Sequence, residues 1–570
     1  MIARTYQIFL IDGEKMDTTE YDVLVVGSGA GALTAAITAH DNGGNVLVIE
    51  KSDMYGGTSA TSGGGIWIPC NHLMAEHGES DSPDAALEYL KACVGDKVPE
   101  SRLKAYVENA PKMLKEMEEK SDVKFVSTPY ADYLTEKPGS KDGWRTLDPL
   151  PMSATKLGKE FLNMRPPHPQ TIFGGFTITV NEAKKIITRS KGWKWIMAKL
   201  MISYRLDVPM RLKSKRHRRL CLGNALVGRC LTSVFKRNIP IWRSASLKSL
   251  IEKNGKVTGA IITKDGEDIL IKTKRGVILA AGGFEHNSHM RSANLPGPTD
   301  TNWSATPPGQ NTGDAHIAAE AVGANLTLMD AAWWGPSVRL PRDDRSRILF
   351  AERALPGIYI VNENGKRYLN EAASYDEVGR QLQAHPKTSW VIFDRRAREK
   401  YGIGPLYPTA VHPDSKWNSS IKAIVKKSDT IEGLASLMGV DQAGLVDTVK
   451  KVAQYAETGI DQDFNSGSTS YDRYYGDPSV TPNPCLAPLS KAPFYAFPVF
   501  PGDIGTKGGV DVDVNAQALN KKGKPIIGLY ATGNTASSVM GYTYPGAGST
   551  IGPAMTFGYV AAKHAMGSNS

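Results

Sequence analysis

The 570-residue chain is 41% hydrophobic and 22% charged, a composition typical of a globular protein too long for a single hydrophobic core. Its five cysteines form no C-x-x-C pair and no cluster with histidine, which argues against a disulfide framework and a metal site. The net charge of +10 arises in residues 182–219, where thirteen Lys and Arg face two acids; the remaining chain sums to −1. Residues 1–20 do not resemble a secretory signal, so we expect a cytoplasmic protein.

The first predicted element is a nucleotide-binding unit, YDVLVVGSGAGALTAAITAHDNGGNVLVIEK at residues 21–51. The pattern predicts a buried strand, a glycine turn, a helix and a second strand that ends at Glu50. The G-x-G-x-x-A spacing places Gly27 in the turn, Gly29 beside a pyrophosphate and Ala32 where the helix packs on the strand. The helix N-terminus favours phosphate. Glu50 is placed to accept from ribose hydroxyls, which argues against a 2′-phosphate.

A glycine-rich loop, KSDMYGGTSATSGGGIWIP at residues 51–69, follows the second strand. Its glycines alternate with small hydroxyl residues. Such a loop can offer several N–H and O–H donors to a pyrophosphate and to the edge of a ring. We therefore expect this loop to contact the same cofactor as the first glycine turn.

Residues 182–219 form a basic segment that also contains Ile, Trp, Leu and Met. A helix would sort these residues into two faces, and no stretch is long enough to span a bilayer. A basic amphipathic helix with Trp is typical of a segment lying among lipid headgroups. We predict peripheral attachment to the inner face of the cell membrane. Nucleic-acid binding is disfavoured because it would leave the apolar face of the helix without a partner. The alternative is that the segment is a solvated, partly disordered insertion that binds no membrane.

Two later passages predict returns of the chain to the nucleotide domain. RGVILAAGGFEHN at 275–287 and GLYATGNTASSVMG at 528–541 each combine a buried strand with Gly and Asn. Together with the opening unit they resemble FAD-dependent flavoproteins of the fumarate reductase type, so we expect FAD as the cofactor. The residues expected to bind it are Gly27, Gly29, Ala30, Gly31, Ala32, Glu50, Lys51, Ser52, Gly57, Thr58, Ser59, Ser62, Gly64, Gly65, Ala281, Gly282, Asp314, Gly533, Asn534 and Ile551.

An uncharged run extends from Pro525 to Ala562. Gly, Pro, Ser, Thr and Asn interrupt it throughout, so it is not a membrane span. We predict a buried loop packed round a flat, uncharged molecule and centred on VMGYTYPGAG at 539–548. Its Pro and glycines permit a tight reversal, so that the Tyr544 hydroxyl and the Gly548 N–H can converge on one oxygen.

From Tyr21 to about Ala562, the basic segment excepted, the chain resembles the 3-ketosteroid Δ1-dehydrogenases. The resemblance implies an FAD-dependent enzyme that oxidises ring A of a 3-ketosteroid in steroid or sterol degradation. A hydride would leave carbon 1 for the flavin and a proton would leave carbon 2 for a base. An external electron acceptor, a quinone or another compound, is implied as well. The passages that carry the resemblance are GSGAGALTAA, GGTSATSGGGIWIP, ILAAGGFEHN, NTGDA (311–315), NGKRYLNEAASYDEVG (364–379), FPGDIGTKGG (500–509) and GYTYPGAGSTIGPAMTFGY (541–559).

The resemblance also implies roles for individual residues. Tyr375 matches the family's base, and Tyr544 with the Gly548 N–H matches the pair that polarises the ketone. Tyr133 matches the supporting tyrosine, although Tyr130 lies only three residues earlier and is an open alternative. A phenol titrates near pH 10, so Tyr375 is a poor base at neutral pH unless a second phenol favours its phenolate.

Three other functions share parts of this pattern. A 3-ketosteroid 4-dehydrogenase acting on 5α-steroids would have the same flavin domain and steroid pocket. A fumarate reductase-like enoate reductase needs cationic groups for a diacid, whereas Trp333 and Trp334 in AAWWGPSVR (331–339) suggest an apolar pocket. A membrane-attached flavin electron carrier would leave the paired phenols without a purpose.

The order of these elements predicts an α/β protein: a Rossmann-type FAD-binding domain interrupted by a smaller α+β catalytic domain. The FAD-binding domain would comprise residues 20–334 and 504–570, with the basic amphipathic insertion at about 176–222. The catalytic or substrate domain would comprise residues 335–503.

Overall fold

The structure, a computed structural model, describes residues 7–11, 14–187, 191–385 and 387–568. Residues 188–190 of the predicted basic segment lie outside the described residues. The same holds for residue 386 of the predicted catalytic domain and for residues 569–570 at the end of the predicted FAD-binding domain.

The strands of the described residues are numbered in chain order. They are β1 (Gln7–Ile11), β2 (Glu14–Val26), β3 (Val46–Ile49), β4 (Ile66–Trp67), β5 (Phe125–Ser127), β6 (Thr146–Pro149), β7 (Met152–Ser153), β8 (Ile172–Phe173), β9 (Phe176–Thr177), β10 (Arg219–Leu220), β11 (Ile241–Trp242), β12 (Ala245–Lys253), β13 (Lys256–Lys264), β14 (Glu267–Leu279), β15 (Leu326–Thr327), β16 (Ala332–Val338), β17 (Arg347–Ile348), β18 (Ile358–Val361), β19 (Ser389–Asp394), β20 (Lys426–Ser428), β21 (Phe494–Thr506), β22 (Gly509–Val510), β23 (Gln517–Leu519) and β24 (Pro525–Ala531).

The α-helices are numbered in the same way. They are α1 (Ala30–Asp41), α2 (Gly57–Thr61), α3 (Pro83–Val94), α4 (Glu100–Lys120), α5 (Val180–Ile187), α6 (Trp193–Leu206), α7 (Val208–Arg211), α8 (Leu222–Lys236), α9 (Ser288–Asn294), α10 (Asp314–Ala321), α11 (Tyr375–Ala384), α12 (Arg395–Lys400), α13 (Ser419–Ile424), α14 (Ile431–Met438), α15 (Gln442–Thr458), α16 (Ser470–Tyr475) and α17 (Ile551–Met566). Short 3₁₀ segments lie at His72–His77, Ala154–Asn163, Pro169–Thr171, Thr301–Trp303, Glu352–Ala354, Asp414–Lys416 and Gly533–Thr535.

A nine-stranded sheet, here called the nucleotide sheet, carries the opening unit and both later returns. Strand β2 pairs in parallel with β3 on one side and with β14 on the other, and β14 pairs in parallel with β24. Val23, Leu24 and Val25 in β2 are fully buried, as expected for a parallel sheet covered by helices on both faces. The predicted strand–turn–helix–strand unit and the Rossmann-type α/β fold are confirmed.

A second, six-stranded antiparallel sheet contains β16, β17, β18, β19, β20 and β21. Its long strands β16 and β21 pair along most of the length of β16. The predicted domain boundaries at 334/335 and 503/504 therefore fall inside these two strands. The division into domains at those residues stays a prediction.

The basic insertion, residues 176–222, contains helices α5, α6 and α7. A small core, in which Leu200 of α6 packs with Phe176 and Ile178, holds α6 against the start of the insertion. Apolar side chains also face outward: Leu206 is 74% exposed and Leu212 is 84% exposed. In the ranges that the structure describes, we find no helix whose length and hydropathy would allow it to cross a membrane.

The uncharged run is a buried connection followed by a buried helix. Residues 531–550 are all buried or half-buried, and α17 packs against α1. A Cβ atom on Gly31 of α1 would lie 2.6 Å from the carbonyl oxygen of Ala554 in α17. The absence of charge is thus explained by burial, because an unpaired charge is costly to remove from water.

Candidate active site

The first glycine turn lies between β2 and α1. Gly27 has φ +110°, and a Cβ there would lie 2.3 Å from the Ala280 carbonyl of the neighbouring strand, so only glycine fits. The Ala30 N–H at the start of α1 donates to the Ser59 hydroxyl over 3.1 Å. Gly31, in the same turn of α1, makes a close contact with α17 that the sequence pattern did not indicate. Ala32 is buried within α1.

Glu50 lies at the end of β3 and is buried. Its carboxylate accepts from the Ser28 hydroxyl and, over 2.8 Å, from the Ser52 N–H. Burial raises the pKa of Glu50, while the hydrogen bonds oppose the rise. Arg165, which we did not predict, donates to the Ser52 hydroxyl over 2.8 Å; its buried Nε has no hydrogen-bond partner among the described residues. The Arg165 Nε–H is therefore a donor without a partner within the described ranges, close to Glu50, where the ribose is predicted to bind.

Lys51 and Asp314 meet, although 263 residues separate them. Lys51 Nζ lies 2.8 Å from the Asp314 carboxylate. Nearby, Asn311 donates to the Thr58 hydroxyl over 3.0 Å. A Cβ on Gly282, whose φ is +85°, would lie 2.6 Å from the Asn311 side-chain oxygen. Asn311 therefore contacts both the glycine-rich loop, through Thr58, and the segment after β14, at Gly282.

The remaining predicted cofactor residues lie in two groups. In the glycine-rich loop, the Gly64 N–H donates to Ser62 over 3.0 Å. After β24, Asn534 accepts from the Trp333 indole N–H over 3.0 Å, and Ile551 begins α17. The other members lie in the same turns and loops: Gly29 before α1, Gly57 and Gly65 within residues 51–69, Ala281 after β14 and Gly533 after β24.

These groups together suit FAD. The N–H groups in the first turn of α1 suit a pyrophosphate, and a buried acid directly after β3 suits ribose hydroxyls. The unpartnered Arg165 nitrogen adds a donor at that end. The uncharged, buried connection between β24 and α17 suits a flat, largely apolar ring system.

Three buried phenols, Tyr133, Tyr375 and Tyr544, form what we call the tyrosine cluster. The ring centroids of Tyr133 and Tyr375 lie 5.7 Å apart, and Tyr544 lies 5.2 Å from each of the other two. Each side chain is 5–6% exposed. Residues far apart in the sequence therefore meet in one place.

Tyr130 lies beside this cluster but not within it. Its ring contacts Tyr133 at 6.2 Å, and it also contacts Tyr471, Tyr474 and Tyr475. Tyr471, which we did not predict, lies 4.8 Å from Tyr133. The geometry favours Tyr133 over Tyr130 as the partner of Tyr375.

The cluster is held by its main chain. Tyr375 is the first residue of α11, whose N-terminus is capped by the Ser374 hydroxyl. The Tyr133 N–H donates to the Pro545 carbonyl over 2.8 Å. Gly548 has φ +101°, and a Cβ there would lie 2.4 Å from the backbone of Ile66. Position 548 thus needs glycine for two separate reasons, its positive φ and its close approach to Ile66.

Burial raises the pKa of all three phenols. For Tyr544, hydrogen bonds from the Thr550 hydroxyl, at 3.3 Å, from Tyr375 and from the Gly548 main chain oppose the rise in pKa. A hydrogen bond with Tyr375 likewise opposes the rise in the pKa of Tyr133. The three hydroxyls therefore adjoin one another, and the Gly548 main chain adjoins the Tyr544 hydroxyl.

A buried ion pair that we did not predict lies beside the cluster. Lys507 Nζ is 3.3 Å from the Asp376 carboxylate, and both side chains are at most 1% exposed. The signal was present in FPGDIGTKGG, where Lys507 is the single charged residue between Asp503 and Asp511.

The chain is similar to known proteins over nearly its whole length. The FAD binding domain family matches residues 22–551. The 3-oxosteroid 1-dehydrogenase of Mycobacterium tuberculosis (strain ATCC 25618 / H37Rv) is 38% identical, covering 96% of this chain and 99% of the relative. That of Comamonas testosteroni is 37% identical, covering 97% of each.

A solved structure is also similar. The 3-ketosteroid Δ1-dehydrogenase from Sterolibacterium denitrificans, in complex with 1,4-androstadiene-3,17-dione, is 45% identical with a TM-score of 0.93. The match covers 96% of this chain and all of the other. FAD as the cofactor and a flavin-dependent dehydrogenase activity are confirmed by these matches. The chain belongs to the 3-oxosteroid 1-dehydrogenase family of FAD-binding proteins.

Proposed function

We propose that the protein introduces a 1,2 double bond into ring A of 3-ketosteroids, with the tyrosine cluster and Gly548 as its catalytic groups. The observation that carries this assignment is the meeting of three buried phenols, 5.2 to 5.7 Å apart, beside the Gly548 N–H. Two chemical tasks follow from the reaction: negative charge on the ketone oxygen must be stabilised, and a weakly acidic C–H proton must be removed.

Tyr544 and Gly548 perform the first task. The Tyr544 hydroxyl and the Gly548 N–H adjoin in this structure, so both can donate to one carbonyl oxygen placed between them. A preorganised donor to a developing oxyanion contributes about 3 to 4 kcal/mol to transition-state stabilisation. Polarising the ketone makes the hydrogen on carbon 2 more acidic.

Tyr375 performs the second task as the base, with Tyr133 supporting its phenolate. Burial raises the pKa of Tyr375, so its phenolate needs donors close by. Tyr133 and Tyr544 both adjoin its hydroxyl, and in this arrangement both raise the pKa of Tyr375, so the support that we assign to Tyr133 requires its hydroxyl to turn and donate to Tyr375. The ring of Phe350, 5.1 Å from Tyr375, adds an apolar wall that excludes water.

FAD, when bound, supplies the acceptor for the hydride from carbon 1. The residues that would hold it are those of the glycine turn, Glu50, the glycine-rich loop and the segment around Asn534. Their donors suit its phosphates and ribose, and their apolar neighbours suit its ring.

An anaerobic substrate panel tests the proposal. Purified FAD-loaded protein is mixed with a 4-ene-3-ketosteroid, a 5α-3-ketosteroid or succinate while the flavin absorbance is followed. Bleaching by the first, with a 1,4-diene as product, supports 1,2-dehydrogenation. Bleaching only by the second moves the reaction to the 4,5 bond, and bleaching only by succinate indicates diacid chemistry. No bleaching by any of them would leave the electron-carrier alternative.

We further propose that the basic insertion attaches the protein to the inner face of the cell membrane. Trp195, Ile202 and Leu206 are 71%, 54% and 74% exposed, and their spacing places them along one side of α6. Exposed apolar residues interleaved with lysine and arginine are typical of helices lying at an anionic lipid surface. Attachment would bring the site close to lipid-soluble steroids and to a lipid-soluble acceptor such as a quinone.

Liposome flotation tests this attachment. Replacement of residues 182–219 by a short Gly/Ser linker should leave the protein at the bottom of the gradient with anionic vesicles. The native protein should float with anionic vesicles and less with zwitterionic ones. Flotation of the variant together with the vesicles would disprove the assignment.

A further inference from the structure

Lys507 is a cation enclosed by protein. Its side chain is 0% exposed, and Nζ donates to the main-chain carbonyls of Tyr542 and Thr543, each over 3.0 Å. Nζ also lies 4.4 Å from the centroid of the Trp333 ring. Burial lowers the pKa of Lys507 to about 8. Such a group is costly to keep in a folded protein unless its partners compensate for lost water.

Asp376 is the partner that carries the opposite charge. It follows Tyr375 in the first turn of α11, and its other carboxylate oxygen lies 3.3 Å from Arg380 Nε. Burial raises the pKa of Asp376, whereas Lys507 and Arg380 lower it. The negative charge of Asp376 in turn raises the pKa of Tyr375 and of Tyr544. An uncompensated Asp376 would therefore oppose the chemistry assigned to both phenols.

The contacts of Lys507 join the two halves of the tyrosine cluster. Its carbonyl acceptors directly precede Tyr544, and its carboxylate partner directly follows Tyr375. Trp333, over which the ammonium lies, packs edge-on against Tyr544 with centroids 5.0 Å apart. One ammonium thus contacts the two residues before Tyr544, the helix that begins with Tyr375, and the Trp333 ring.

We propose that Lys507 is a positioning residue of the steroid reaction: it fixes Tyr544 relative to Tyr375 and cancels the charge of Asp376 beside them. This assignment rests on the proposed function. Negative charge develops on the ketone oxygen during the reaction. Tyr375 must itself be a negatively charged phenolate before it takes the proton from carbon 2. Preorganised opposite charge near such a site favours both. The other charged groups facing the pair are Arg380 and Glu377, both on α11.

Three variants test the proposal by the pH dependence of flavin bleaching under anaerobic single turnover. The rate should rise with pH as Tyr375 loses its proton. In Lys507→Met, Asp376 is less compensated, so the midpoint should move up by about one unit and the rate below the midpoint should fall about tenfold. In Asp376→Asn, loss of the negative charge that raises the pKa of Tyr375 should move the midpoint down. Lys507→Arg should keep the native midpoint.

The double variant K507M/D376N separates charge from packing. If Lys507 acts by cancelling Asp376, removing both charges should return the midpoint towards the native value. A purely structural pair would lower FAD content or stability without moving the midpoint. Unchanged midpoints in both Lys507→Met and Asp376→Asn would overturn the proposal.

Asp376→Asn keeps the shape of the side chain and decides the question alone if Lys507→Met fails to retain FAD. A downward midpoint supports the proposal and an unmoved one contradicts it. The native protein decides the proposed function separately: absence of bleaching by a 4-ene-3-ketosteroid contradicts that function, whereas the variants are compared only with the native pH profile.

Discussion

The uncharged run and the basic insertion both contain many apolar residues, but they differ in how far these residues are buried. Around Tyr544 the chain is buried and no residue between 531 and 550 is exposed. In the insertion, Trp195 and Leu206 are 71% and 74% exposed although they lie on a well-formed helix. The first region buries its apolar side chains against protein, whereas the second leaves several of its apolar side chains exposed at the surface.

This difference teaches that apolar content alone does not locate a core. What separates the two regions is the distribution of charge: Lys and Arg surround the exposed apolar residues, whereas the buried run has none. A solvated cation beside an apolar side chain is compatible with a lipid headgroup surface and incompatible with a dry pocket. Lys507 is a buried cation that packs beside the uncharged run, and it is paired with Asp376.

Tyr375→Phe should give the largest effect on the buried side of this comparison. Loss of a general base should lower turnover by roughly 10²- to 10⁴-fold, because the C–H proton then has no acceptor. FAD content and steroid binding, followed by flavin absorbance, should be retained. Tyr368→Phe is the matched control, since its hydroxyl pairs with Ser389 over 2.6 Å outside the cluster. A near-native rate in Tyr375→Phe would exclude Tyr375 as the base.

Tyr544→Phe sharpens the comparison within the uncharged run itself. Removing one oxyanion donor should lower the rate of flavin bleaching by about 10²- to 10³-fold. Tyr542→Phe, two residues away, removes a hydroxyl that donates to Asp330 over 2.8 Å, and it should bleach at nearly the native rate. Equal losses in both variants would indicate damage to the loop instead of loss of a donor.

Tyr133→Phe addresses the tyrosine that the sequence left open. Loss of a neutral hydrogen bond to the phenolate should slow bleaching about tenfold. Tyr130→Phe, whose ring contacts Tyr133 but lies outside the cluster, should change the rate much less. The reverse order in stopped-flow rates would assign the supporting role to Tyr130.

Leu206→Gln should give the smallest effect and concerns the exposed side. Withdrawing about 1 kcal/mol of apolar contact should weaken binding to anionic vesicles about fivefold in a sedimentation assay. Leu437→Gln, at a side chain that is 51% exposed on α14, is the control and should bind like the native protein. Equal weakening by both would show that surface hydrophobicity in general, and not the insertion, governs attachment.

Much of the nucleotide end could be predicted because its signals are local. A strand, a glycine turn and a helix lie next to one another in the chain, and Glu50 ends the following strand. No signal in the sequence indicated the close contact of Gly31 with Ala554. That contact joins residues more than 500 positions apart, and spacing within one unit carries no information about it.

The amino-acid sequence alone determined the nucleotide unit and the unusual lack of charge around Tyr544, because periodicity, local turn chemistry and composition are properties of neighbouring residues. Only the tertiary structure decided that Tyr133 and not Tyr130 reaches Tyr375, and that Lys507 meets Asp376. Contacts of this kind depend on how distant strands and loops pack together. The burial that shifts the pKa of each phenol is likewise a property of the folded chain, since an extended chain would leave every hydroxyl in water.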